Sequence, residues 1–390
     1  MTAMTTTLEA TPTVQQHVSG WGDVLGAGWP LVSDVPRLDD DQGARERIAA
    51  AAAGIIAILP IPTEFGGGGG DLLQAAAAQR GLGAVDPSVA VALNMHMLSV
   101  GLLAEHWRRH RDTSWMLLEA IAGGHNLVGS AFAEPGGSAN ILRSSTRAVR
   151  TATGFRLTGV KFPCSLASIA DLFCLSAQIE DEDTTIVALC PAAAPGLRVN
   201  GAWRSIGMRA SDTARLELSG VDLDRRLVFH EAPAGVIDDI VVGGLVWFVV
   251  LISATYHGVL GTLLGTAAAM PARCTAHRTE AALTATAGEL CTLGSSCQGL
   301  ARAWTEGRIR GDAALVSAAA LRMQLSATAD RVIAGVRPLL GAAAYTEGTR
   351  ASALVLDALA VHHHPPSIPL CEALIAGAGS GRALSLDLRP

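Results

Sequence analysis

The stretch AVHHHPPSIP, residues 360–369, sets three imidazoles side by side, His362, His363 and His364, ahead of two prolines. Imidazoles in such a run can bind a metal, move a proton near neutral pH, or close the last turn of a helix. Successive helical residues point about 100° apart, so three neighbours cannot converge on one ion. No other His, Cys or Asp group has ligand spacing, so no metal is expected. Pro365 and Pro366 suit a helix stop. A helix end and a proton-transfer group therefore remain as the two readings of the run.

The elements that must position these side chains are helical on both sides of a β-rich middle. The chain has 390 residues, 49% hydrophobic and 16% charged, enough for a compact protein of two or three domains. A net charge of -6 without any Lys/Arg run argues against a nucleic-acid partner. Seven cysteines without a CxxC pair fit reduced thiols and a cytoplasmic location. No basic-then-apolar leader opens the chain, and about the first twenty residues read as a loose tail. Residues 240–272 carry no Asp, Glu, Lys or Arg. That length can cross a bilayer, but with no basic flank it reads as the central helix of a bundle, so no membrane association is expected.

Three zones follow. Residues 1–128 read as an N-terminal helical domain, with loops at LPIPTEFGGGGG and GAVDPS and an N-cap at Asp86 before Pro87. Residues 129–226 hold short alternating segments such as ADLFCLSAQI and ARLELSGVDL, which read as antiparallel strands of a β-barrel, with Gly154 in a hairpin turn. Residues 227–390 return to long Ala/Leu-rich helices, as in an α-helical bundle. The fold class is α+β.

This order, with its punctuation, resembles the acyl-CoA dehydrogenase superfamily. The resemblance rests on LPIPTEFGGGGGDLL, GAVDPSVAVALNMH, GSAFAEPGGSAN, LTGVKFPCSLASIADLF and WRSIGMRASDTARLELSGVDL, in that order over nearly the whole chain. It implies a flavin, usually FAD, held between barrel and bundle, and a homodimer or homotetramer. Phe132 and Ala133 would give backbone and apolar contact to the ring. Gly136 and Gly137 would allow close approach of backbone to the ligand, and Ser138 beside them would be a further flavin contact. Ser165 falls where the family has a threonine reaching flavin N5, and Pro163 where many members have a tryptophan against the ring. Gly341 and Ser367 fall at further flavin-side positions, and Arg273 or Arg278 remains from the family's Arg-x-x-Phe-Gly.

The departures carry more information. The family's catalytic Glu falls on Pro365, its following Gly and Thr on Pro366 and Ser367, and the alternative base position near Phe248. EGT at 347–349 lies about eighteen residues too early. Pro338 replaces a Gln, so FAD contacts are altered, and FMN or free reduced flavin is an alternative. Some relatives that lack the Glu and carry a nearby His are oxygenases, in which reduced flavin reacts with O₂. The resemblance thus implies oxygenase or oxidase chemistry, with His364, helped by His363, in the space of the lost base. One alternative is an acyl-thioester dehydrogenase whose base has moved to Glu347 or Glu372. A flavin-poor scaffold subunit is the other. The substrate is a small molecule or an acyl group on CoA or a carrier, and a flavin reductase is an expected partner. Asn94 and His96 are candidates for lining its channel. Arg209 fits either a thioester or phosphate contact or a surface ion pair.

Overall fold

The computed structural model describes residues 41–135, 143–201, 204–270 and 276–386. Helices α1 (Asp41–Ala52), α2 (Leu72–Val85), α3 (Pro87–His110) and α4 (Trp115–Gly124) form the N-terminal part. Asp71 and Gln74 cap α2 reciprocally, at 2.9 and 3.0 Å. Asp86 accepts from Ser88 N and Val89 N at 3.1 and 3.2 Å, and Pro87 stands at the first position of α3, as expected. The glycine loop is needed because it folds back on itself: a Cβ on Gly67 would lie 2.1 Å from Ile61 O.

Among the described residues, the middle zone forms one eight-stranded sheet. Its strands are β1 (Val128–Ala131), β2 (Arg147–Arg150), β3 (Gly154–Cys164), β4 (Leu172–Ile179), β5 (Thr184–Pro191), β6 (Leu197–Asn200), β7 (Ala214–Asp224) and β8 (Val228–Pro233). The order is β6-β7-β3-β2-β4-β5-β8, with β1 on β4. Two pairs correct the all-antiparallel expectation. Both β1 and β2 run parallel to β4, with Val128 opposite Leu172 and Arg147 opposite Gln178. Long connections permit parallel neighbours, and nothing local in a short strand specifies them. The sheet also continues through Pro233, beyond the expected limit at 226. Gly154 does close the β2–β3 turn, where its Cβ would meet Leu223 O of β7 at 2.1 Å.

The C-terminal zone holds α5 (Asp239–Ala268), α6 (Ala276–Thr305), α7 (Gly311–Leu340), α8 (Arg350–Leu359) and α9 (Ile368–Gly379). Asp238 caps α5 with two bonds of 3.0 Å. The charge-free segment is α5 itself. Its most apolar window is 89% buried, so it is a core helix, as is α3. Two glycines let α2 and α5 touch backbone to backbone. A Cβ on Gly83 would lie 2.2 Å from Thr255 O, and one on Gly258 2.2 Å from Arg80 O. The core around α5 draws residues from α2, α3, α6, α7 and α8.

Candidate active site

Helix α8 gives way to a single 3-10 turn, Ala360–His363, and His364 follows in extended conformation. The turn splits the three histidines. His362 faces out and pairs with Asp330 at 3.0 Å, and His363 is exposed. His364 turns inward, where its Nε2 meets the hydroxyl of the buried Tyr256 on α5 at 2.8 Å. Its ring centroid lies 6.4 Å from that of Phe248, two turns earlier on the same helix. His363 therefore does not share the inward position expected of it, because neighbouring residues of a turn diverge.

Arg322 of α7 holds this turn. It is buried, and its Nη2 donates to Val361 O (2.9 Å) and His364 O (2.8 Å), while Nη1 donates to Ser326 Oγ. Burial, with the charges of Arg322 and His363 added, pushes the His364 imidazole down to about 3. It is neutral at physiological pH. Burial also holds the Tyr256 phenol well above its ordinary value. The pair is one hydrogen bond between two uncharged groups.

Phe248 and the turn before Pro365, the two positions expected for a base, thus come together, and His364 there has Tyr256 rather than a carboxylate as its hydrogen-bond partner. Glu347 and Glu372 are exposed at the surface, which removes both as relocated bases. One carboxylate escaped the sequence reading. Asp357 of α8 accepts from Met208 N at 2.6 Å, and burial, with the negative charge of Asp86 added, raises it to about 6. An isolated acid in an apolar helical repeat was the only signal for it.

On the sheet side, Ser165 starts a chain of hydroxyls. Ser165 Oγ lies 2.8 Å from Thr213 Oγ1, which lies 2.8 Å from Ser211 Oγ, which donates to Met208 O at 2.9 Å. A carbonyl only accepts, so each hydroxyl donates toward Met208. Ser165 is left as an acceptor. Beside it, Phe162 N donates to Ala133 O (2.9 Å), and Ala133 and Pro163 are exposed. Phe132 instead packs half-buried on a core that includes Trp107 and Ile121. This strip is held from beneath by Lys161 and Glu134, both buried, with Nζ 2.6 Å from Oε1. Burial works against the Glu134 carboxylate, but Lys161 and the bonds from Ser144 and Ser145 prevail and bring it down to about 2. Sequence reasoning missed this pair, since an acid and a lysine far apart in a chain look like surface charges.

The remaining candidates separate. His96 is fully buried with both ring nitrogens engaged: Nε2 with Ala57 O at 2.7 Å, and Nδ1 accepting from Val128 N at 3.0 Å. It ties α3 to the sheet and has nothing left for a substrate, which corrects its expected role. Asn94 is buried without a partner for its amide. Arg209 is exposed. Gly341 ends α7 at φ 58°, and Ser367 accepts from Leu370 N as the cap of α9. Ser138 and Arg273 lie outside the described residues.

An exposed apolar strip with a lone acceptor at its edge fits a flat ring carrying an N–H, as a flavin does. The comparisons agree. The acyl-CoA dehydrogenase N-terminal domain matches residues 32–109, and the middle domain of the same family matches 129–221. The chain is 29% identical over 319 residues to isobutylamine N-hydroxylase of Streptomyces viridifaciens, covering 79% of this chain and 82% of that one. In fold it is similar to butyryl-CoA dehydrogenase of Megasphaera elsdenii, with TM-score 0.77, 17% identity, and coverage of 96% and 99%. It is also similar to KijD3 in complex with FMN and dTDP-3-amino-2,3,6-trideoxy-4-keto-3-methyl-D-glucose, with TM-score 0.76, 21% identity, and coverage of 97% and 96%. The chain belongs to the acyl-CoA dehydrogenase superfamily. It is a flavin-dependent oxidoreductase.

Proposed function

We propose that this chain is an oxygenase acting on the nitrogen of a small primary amine. The observation that carries this reading is the pairing of Phe248 with His364 where a carboxylate base would stand. Proton abstraction beside a thioester needs a base within reach. Oxygen transfer to an amine needs instead a neutral nitrogen with a free lone pair. A site lined by Phe248 and uncharged His364 favours that form, because burial disfavours the ammonium. The N-hydroxylase relative supports the amine as substrate class.

When bound, reduced flavin supplies the two electrons that let one atom of O₂ enter the product while the other leaves as water. The chain's own residues do the rest. Ser165 accepts a hydrogen bond from the ring edge, and Ala133 and Pro163 give it a flat contact. Ser138, Arg273 and Gly341 would serve the flavin's phosphate side. FAD is the expected form, and the FMN of the KijD3 complex supports the shorter alternative. The Tyr256–His364 pair can give and take one proton without forming a charge. A separate reductase, a cytoplasmic location and a homodimer or homotetramer complete the proposal.

The test is product analysis with a flavin reductase, NADH and a panel of primary amines under ¹⁸O₂. A hydroxylamine carrying ¹⁸O is expected. Anaerobic bleaching of the flavin by an acyl-CoA would overturn the reading in favour of a dehydrogenase. Asp357, raised to about 6 and electrostatically coupled to Tyr256, is the residue that second reading would use. Asp357→Asn would then abolish the bleaching.

A further inference from the structure

Asn94 on α3 is fully buried, and neither Oδ1 nor Nδ2 has a hydrogen-bond partner. Buried amides are nearly always paired, so an unpaired one asks for an explanation. The neighbouring buried amide shows the contrast. Oriented to pair all its atoms, Gln79 donates to Thr255 Oγ1 (3.2 Å) and Ala90 O (3.1 Å) and accepts from Asn94 N (2.8 Å).

The surroundings of Asn94 follow from how α3 meets α5. A Cβ on Gly101 would lie 2.3 Å from the Trp247 ring, and one on Gly244 3.7 Å from Leu102. Gln79 joins Ala90 to Thr255 further along. The two helices therefore run antiparallel. Asn94 lies two turns, about 10 Å, before Gly101 on the same stripe as Val91 and Leu98. By that register it stands against α5 between Leu251 and Ala254, about 6–9 Å beyond Phe248. Phe248 in turn touches the level of His364. Val91, Leu98, Leu251 and Ala254 are all buried and apolar.

We infer that Asn94 is a specificity residue for the proposed site. It receives a neutral group with both a donor and an acceptor, a hydroxyl or carboxamide, at the end of the substrate away from the reacting nitrogen. The group is neutral because the apolar stripe around Asn94 supplies no counter-charge among the described residues. This inference rests on the oxygenase reading only for which end reacts.

The test compares wild type with Asn94→Leu, which keeps the volume and removes both polar atoms. Asn94→Thr, which keeps a donor and an acceptor, serves as the rescue. Calorimetry on the flavin-loaded protein under argon measures Kd for butylamine and for its terminal hydroxyl derivative. Wild type should prefer the hydroxyl derivative by about tenfold or more. Asn94→Leu should reverse that order, and Asn94→Thr should restore part of it. Equal ratios in wild type and Asn94→Leu would overturn the inference. Thermal unfolding is a second check: an unpaired amide replaced by leucine leaves the midpoint unchanged or higher, and a fall would overturn the claim. If no amine is hydroxylated yet the Kd ratio inverts, the oxygenase reading fails and this inference stands.

Discussion

The Tyr256 hydroxyl and His364 Nε2 meet at 2.8 Å across 108 residues of chain. A phenol here takes the imidazole edge that would otherwise face apolar side chains. Tyr256→Phe should cost about 1–2 kcal/mol of stability, since it leaves a buried ring nitrogen unpaired. It should also lower the ratio of hydroxylated product to O₂ consumed by about tenfold, the effect of losing one such bond. Flavin affinity should not change. Product and O₂ are measured together, and an unchanged ratio would remove the pair from the chemistry.

Hydroxyl direction predicts a redox preference. Thr213→Val deletes the acceptor that holds the Ser165 proton. Ser165 can then donate, which suits an oxidised ring nitrogen better than a reduced N–H. The preference for reduced over oxidised flavin should narrow by about tenfold. Binding titrations of both flavin states under argon read this directly.

Acid should unfold the protein early. His96 and His257 are pushed down to about 4 and His364 to about 3, chiefly by burial. Each binds its proton more readily when unfolded, at its ordinary value near 6.5. Stability is therefore full above that value and falls as the pH drops toward 4. Each histidine adds a slope of up to about 1.4 kcal/mol per pH unit in that window. Urea midpoints between pH 7.5 and 4.5 test this. His96→Gln should flatten the curve by about one third if the three contribute equally.

Lys161→Met should cost about 3–5 kcal/mol, because it strands the buried Glu134 carboxylate. Adding Glu134→Gln should recover part of that loss. Recovery of stability without recovery of flavin binding would assign the pair to shaping the Ala133–Pro163 strip.

Much of the fold was legible from local patterns. Asp86 and Pro87 mark the start of α3, and the charge-free run becomes α5, because caps and periodicity are properties of neighbouring residues. The partners were not. Tyr256 in an apolar run looks like core, Lys161 and Glu134 look like surface, and His96 resembles a ligand until Ala57 and Val128 claim both its nitrogens. Which distant polar atoms meet is decided by packing, and no spacing rule carries it. The parallel partners of β4 were hidden for the same reason.

Helix α5 has a consequence for biosynthesis. As it leaves the ribosome it has the hydropathy of a membrane anchor, and only other helices can cover it. Two of these, α2 and α3, are translated before it, so part of its sheath already exists when it emerges. The backbone contacts at Gly83 and Gly258 form against a partner made earlier. A circular permutant opened between α4 and β1 would reverse that order. Such a chain should need chaperones or aggregate during synthesis, even though its finished fold contains the same contacts.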